Sequence, residues 1–265
     1  MQPIKMYQAD AFTDRLFHGN PAAVCLLDQW LTDEQMQAVA AENNLSETAF
    51  VVPAGKDYAI RWFTPAVEVD LCGHATLASA FILFRVTENP GNAITFHSER
   101  SGILRVTRED DMLFLDFPTD TVNPVNGHTI DLLTTCIGVK PVEVFRGKSD
   151  YIAVIASEQQ LIDLTPDMEA IACLDARGLA VTAPGDSADF VSRFSAPQSG
   201  VPEDPVTGSA HTSLIPIWSA KLGRTRLTAR QLSKRGGQLH CEHKGDRCCI
   251  GGRARLYLEG EILVE

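Results

Sequence analysis

The stretch Val69–Phe84, VDLCGHATLASAFILF, constrains this chain more than any other. It opens with a polar turn, Asp70-Leu71-Cys72-Gly73-His74. It then runs into Ala75, Leu77, Ala78, Ala80, Phe81, Ile82, Leu83 and Phe84, apolar on every side of a helix. A surface helix carries one apolar stripe, whereas a helix apolar all round is enclosed by protein. The stretch is too short to cross a bilayer, which takes about 20 such residues. It therefore predicts a helix threaded through the middle of a domain, with Gly73-His74-Ala75 at its N-terminus. Unpaired backbone N–H groups and the positive dipole end make that terminus a natural seat for an anion.

The device recurs. Asp204-Pro205-Val206-Thr207-Gly208-Ser209-Ala210-His211 leads into a second mostly apolar run, Thr212–Leu222, in which Pro216 is expected to kink the helix. Upstream, Trp62-Phe63-Thr64-Pro65-Ala66 precedes the first run and Arg193-Phe194-Ser195-Ala196-Pro197 the second. A strand, a loop, a glycine turn and a buried helix thus occur twice, about half a chain apart, which reads as an internal duplication. At 265 residues the chain has room for two domains of about 130 each. The expected division is 1–118 and 119–265, with Pro118–Asn126 as the linker.

A formal net charge of −11 argues against nucleic acid or an anionic membrane as the main partner. The opening Met1-Gln2-Pro3-Ile4-Lys5 has no leader-like pattern, so the expected location is the cytoplasm. Seven cysteines in no even framework fit free thiols. His240, Cys241, His243, Cys248 and Cys249 invite a zinc reading. However, they contain no CxxC pair, and Lys244-Gly245-Asp246 reads as a hairpin turn, so no metal is expected.

Along the chain, Lys5–Ala11, Ala23–Leu27, Leu45–Val52 and Tyr58–Phe63 read as strands. Thr32-Asp33-Glu34-Gln35 is a capping-box pattern opening a helix to about Glu42, closed by Asn43-Asn44. Strands follow at Ala93–His97, Gly102–Arg108, Met112–Phe117, Val142–Arg146, Tyr151–Ala156, Gly178–Thr182 and Phe190–Phe194, with a helix over Asp167–Ala172. Leu227–Gly236 is a polar segment to which no state is assigned. Leu239–Glu242, Arg247–Ile250, Arg253–Leu258 and Glu261–Val264 read as a terminal meander. Strands gathered about one buried helix, twice over, predict an α+β chain of two barrel-like halves.

If a pseudo-two-fold relates the halves, the two helix N-termini are expected to face a common cleft and to grip a small anionic molecule, most simply a carboxylate. Asp70, Cys72, His74, Asp204, Ser209 and His211 lie beside the glycine turns as candidate proton carriers. Asp204 sits between Pro202 and Pro205, which constrain its backbone; local turn bonds are the competing use of its carboxylate. A helix N-terminus biases His74 toward the neutral form. Glu47, at a strand entry, reads by itself as an exposed carboxylate.

The segments Ala9-Asp10-Ala11-Phe12, Gly19-Asn20-Pro21-Ala22-Ala23, Asn44-Leu45-Ser46-Glu47-Thr48-Ala49-Phe50, Arg61-Trp62-Phe63-Thr64-Pro65, Leu71-Cys72-Gly73-His74-Ala75-Thr76 and Glu203–His211 resemble the PhzF-like isomerases of phenazine biosynthesis. The resemblance runs from the first strand to the last and implies the diaminopimelate-epimerase-like fold, with the last strand able to return to the first domain. It also implies a cofactor-free isomerase and a homodimer. In the family's phenazine enzyme a glutamate moves a proton between ring carbons of a dihydro-hydroxyanthranilate. By motif position that glutamate is Glu47, with His74 and Asp204 as its catalytic companions. Asn20, Ser46, Gly73, Ala75, Gly208 and Ser209 match substrate-contacting positions. Such a glutamate needs a raised pKa to act as base and then acid. Racemases of the wider fold use paired cysteines; here Cys72 precedes Gly73, but Thr207 precedes Gly208, which disfavours the two-thiol scheme. The alternatives are an amino-acid racemase or epimerase, and a catalytically silent binding protein of the same fold.

Overall fold

Both apolar runs are helices, Gly73–Val86 and Gly208–Leu222, and both are buried along most of their length. The first encloses polar Thr76 and Ser79, whose hydroxyls donate back to the carbonyls of Cys72 and Ala75 at 2.6 and 2.7 Å. The computed structural model describes residues 2–88 and 91–265. The chain divides into two units, Met1–Asp116 with Gly251–Glu265, and Phe117–Ile250.

The first unit contains β1 (Gln2–Ala11), β2 (Asn20–Leu26), α1 (Asp33–Asn43), β3 (Glu47–Ala54), β4 (Asp57–Phe63), β5 (Glu68–Val69), α2 (Gly73–Val86), β6 (Ala93–Ser98), β7 (Gly102–Glu109) and β8 (Met112–Pro118). Its C-terminal strand, Ala254–Val264, pairs antiparallel with β1. From β1 the pairing runs antiparallel to β2, parallel to β3, antiparallel to β4, parallel to β6 and antiparallel to β7. Each parallel step needs a crossover, and α1 and α2 supply the two. The sheet wraps α2, which contacts β1, β2, β3, β6, β7 and the C-terminal strand. On the other side, α1 seals a core of Met36, Ala40, Phe50 and Phe63.

In the second unit lie β9 (Asn123–Pro124), α3 (His128–Ile137), β10 (Glu143–Arg146), β11 (Asp150–Val154), α4 (Glu158–Ile162), α5 (Met168–Ala172), β12 (Gly178–Pro184), β13 (Phe190–Ser195), α6 (Gly208–Leu222), β14 (Arg226–Gln231), β15 (Gly237–His243) and β16 (Arg247–Gly252). From β10 the order repeats: antiparallel to β11, parallel to β12, antiparallel to β13, parallel to β14, antiparallel to β15. The same sequence of pairings, with the buried helix between the same two strands, makes the duplication visible as topology.

Three details differ from the sequence reading. The segment 227–236 contributes a strand, β14, held between β13, parallel, and β15, antiparallel. The last two expected segments are one strand of 11 residues, because Gly260 keeps its place opposite Met6 and the ladder runs through it. Helices α3 and α4 had no counterpart in the reading. Among the described residues, no helix is long and apolar enough to cross a membrane.

Pro216 lies inside α6 and leaves the carbonyl of Thr212 without its helical donor. The backbone N–H of Asp120 takes that carbonyl at 3.2 Å, and the Asp120 carboxylate accepts from Ser213 Oγ at 2.7 Å. The expected linker is thereby fastened to the helix that the proline interrupts.

Candidate active site

In the first unit, three chain entries converge. Asn20 is the first residue of β2, Glu47 the first of β3, and His74 the second of α2. Parallel pairing places Glu47 opposite Ala22, two residues beyond Asn20. The side-chain amide nitrogen of Asn20, a donor only, lies 3.1 Å from His74 Nδ1. That contact makes Nδ1 the acceptor and leaves the ring proton on Nε2. Nε2 sits 3.2 Å from Glu47 Oε2, off the alignment of a hydrogen bond. Cys72 Sγ approaches Nδ1 at 3.5 Å. Burial pushes the His74 pKa down to about 3, so the ring is neutral.

Other residues of the first motif take supporting places. Ser46 lies half-buried in the turn before β3, and Gly73 and Ala75 are buried in the first turn of α2. Cys72 is the N-cap of α2 and makes no side-chain capping bond. The entry to β3 is braced by Asn43, whose amide donates to Thr48 Oγ1 at 3.1 Å.

The second unit builds its own polar set at the N-terminus of α6. Thr207 Oγ1 donates to Asp204 Oδ2 at 2.5 Å. Gln231, 1% exposed, bonds the Thr207 backbone N–H through Oε1 and donates to the Asp204 carbonyl at 2.7 Å. Ser209 Oγ accepts from Arg177 Nη2 at 3.1 Å, and Arg177 forks onto Asp150 at 2.9 and 2.5 Å. Gly208 is buried at the first position of the helix. His211 is fully buried, its Nδ1 2.8 Å from the Thr207 carbonyl, and burial lowers its pKa to about 4. It thus does for α6 what the Thr76 hydroxyl does for α2, bonding the carbonyl four residues back.

Arg177 and Gln231 were not singled out in the sequence, and both join this set through residues more than 20 positions away. Of the candidates, Asp70 faces Arg100 at an exposed surface position rather than joining His74. A separate cavity of about 610 Å3 in the second unit, lined by Asp120, Arg146 and Lys148 among others, contains none of the predicted site residues. Among the described residues, the Cys241–Cys249 segment forms no cluster of three metal-type donors, whereas Glu47, Cys72 and His74 do.

The chain is similar throughout to known proteins. The PhzC-PhzF family, described as phenazine biosynthesis-like protein, matches residues 9–260. A Pseudomonas aeruginosa protein named as an uncharacterized isomerase is 52% identical over 98% of each chain. The crystal structure of a PhzF-family phenazine biosynthesis protein from Enterococcus faecalis superposes with a TM-score of 0.94 at 45% identity, covering 99% of this chain and 100% of that one. A hydroxyproline epimerase from Agrobacterium vitis, 10% identical, shares the fold with a TM-score of 0.62 over 98% of this chain and 92% of that one.

Proposed function

This chain belongs to the phenazine biosynthesis-like PhzC-PhzF family, and we propose that it is an isomerase that moves one proton on a small carboxylate-bearing metabolite with Glu47 as carrier. The observation that carries this reading is the Asn20–His74–Glu47 chain. It aims a neutral imidazole with its proton on Nε2 toward one oxygen of a half-buried carboxylate. Glu47 takes a proton from a carbon beside the substrate's conjugated carboxylate, and the electron pair left behind delocalises into that system. The protonated Glu47 then returns the same proton to a second carbon. His74 keeps its own proton and holds the carboxylate in place before and after transfer.

The second unit's share is holding rather than proton transfer. By motif position Asp204 and Ser209 are the residues that would orient the substrate's polar groups, and a helix N-terminus such as that of α2 beside Glu47 favours negative charge. Ser46, Gly73, Ala75 and Gly208 give the small-residue approach that close binding needs. Thr207 is engaged with Asp204, so a second acid of the thiol kind has no place in this scheme. The reaction as drawn uses no coenzyme.

The test is label transfer, run with small unsaturated carboxylates beginning with a dihydro-hydroxyanthranilate. In heavy water, isomerisation is expected to place less than one deuterium in each product molecule, because the abstracted hydrogen returns. Glu47→Gln is expected to fold normally and to lose turnover by more than the roughly 10²–10⁴-fold typical of one acid–base group. Full product labelling that persists in Glu47→Gln, or near-normal kcat in that variant, removes Glu47 from the reaction.

A further inference from the structure

We propose that the cavity of about 610 Å3 in the second unit is a binding site for a small organic oxyanion, its phosphate or carboxylate head held beside Arg146 and Lys148. None of the residues lining it belongs to the candidate active site. One wall is the segment 119–125, and the other is the tip of the β10–β11 hairpin. The backbone fixes the first wall, since Asn123 and Pro124 pair with Arg146 and Phe145, and the Val125 N–H donates to the Val144 carbonyl at 2.9 Å. The walls meet at Gly147, where a Cβ would stand 2.3 Å from Asp120 Oδ2. Only glycine therefore lets the Asp120 carboxylate close on the turn. Both of its oxygens lie 3.2 Å from the Lys148 backbone N–H, and Oδ2 also accepts from Ser213 Oγ at 2.7 Å. The cavity is thus built before any ligand arrives.

Its charge points to the ligand. Neither Arg146 nor Lys148 has a carboxylate partner within ion-pair distance among the described residues. Arg146 Nη2 donates to the Asp175 carbonyl at 2.9 Å, its Cζ lies 4.7 Å from the Tyr151 ring centroid, and Nη1 is buried without a hydrogen-bond partner. A guanidinium held by a carbonyl and a ring face keeps its charge, and partial burial leaves that charge less screened than it is in water. Because Nη1 is closed to solvent, Arg146 acts on an entering anion through its field. The direct bonds come from the Lys148 ammonium, the Thr121 hydroxyl and the Asn123 amide, which bond no other described residue. Asp120 opposes them with one charge against two, already bonded by the wall itself. The lining is net positive in a chain of net charge −11, so an anion collects here rather than over the surface at large. The volume falls among the roughly 300–1,000 Å3 of small-molecule sites and exceeds what a bare ion fills, which calls for an organic part on the ligand.

The experiment titrates the full chain at low salt with inorganic phosphate, glycerol 3-phosphate and glycerate, read by assigned amide resonances. Saturable shifts are expected at Thr121, Gly147 and Lys148. The tighter of the two organic molecules identifies the head group, and it is expected to bind about threefold or more tightly than inorganic phosphate. Lys148→Ala keeps the backbone N–H that anchors Asp120 and is expected to weaken binding about tenfold, with Lys148→Arg restoring most of it. Shifts that do not saturate overturn the site, as does unchanged affinity in Lys148→Ala. Shifts confined to Gly73, His74, Gly208 and Ser209 also overturn it, by placing the anion at the helix N-termini. Inorganic phosphate binding as tightly as both organic molecules overturns the organic ligand.

Discussion

Arg177 stands, in the second unit, where the residues around Glu47 stand in the first. It immediately precedes β12 as Ser46 precedes β3, and it reaches the second residue of α6 as Glu47 reaches the second of α2. Its anchor, Asp150, opens β11 as Asn20 opens β2. One copy of the duplicated frame thus holds amide, imidazole and carboxylate, and the other carboxylate, guanidinium and hydroxyl. The first set suits proton movement and the second suits holding an anion. Asp150 is 5% exposed, and the Arg177 fork supplies its counter-charge. Arg177→Ala is expected to lower unfolding free energy by about 3 kcal/mol, because the other charge is left buried without its partner. Adding Asp150→Asn should recover much of that loss, measured by urea midpoints as a double-mutant cycle. Strictly additive effects would show that the pair is not coupled.

Elements differ in how much of themselves they write into sequence. Helix α1 carries its own ends: Thr32 and Gln35 form the reciprocal box, and Asn44 closes the helix in the left-handed conformation at φ 49°. Thr32→Ala is expected to cost about 1 kcal/mol, read from thermal or urea unfolding. Gln35→Ala on top of it should add less than it does alone, since the two bonds belong to one device; full additivity would contradict that. The buried helices were legible for a related reason, since a run apolar on all sides has few other homes. Helix α3 was not, because Gly127 at its N-cap offers no side-chain bond and its interior is rich in β-branched threonine and isoleucine. Strand β14 pairs with its neighbour β15 and, farther away in sequence, with β13, and the β13 partnership is not recorded in local pattern. The site divides the same way. Glu47, His74, Asp204 and Ser209 lie in motifs beside glycine turns or strand entries, whereas Gln231 acquires its place only when β14 brings it under Thr207.

At the scale of the whole molecule, each unit encloses one neutral histidine beneath the N-terminus of its central helix. His74 is 4% exposed and His211 fully buried. Desolvation lowers His74 to about 3 and His211 to about 4, the latter partly offset by its bond to the Thr207 carbonyl. An unfolded histidine titrates near 6.5. Below that pH the unfolded chain binds protons that the folded chain refuses, so stability is complete above about 6.5 and is lost as pH falls toward the folded values. At about pH 5 the loss is about 2 kcal/mol for each ring. Another effect moves over the same range: a net charge of −11 loses self-repulsion on acidification. A single variant separates the histidine from this. His211→Gln keeps an N–H able to reach the Thr207 carbonyl but cannot titrate. It gives up the ring packed 5.8 Å from Phe190 and should therefore be less stable than the parent at about pH 7. Between about pH 7 and pH 5, however, its unfolding free energy should fall by about 2 kcal/mol less than the parent's. Parallel pH profiles for the two proteins would mean that His211 takes up its proton in the folded state as readily as in the unfolded one.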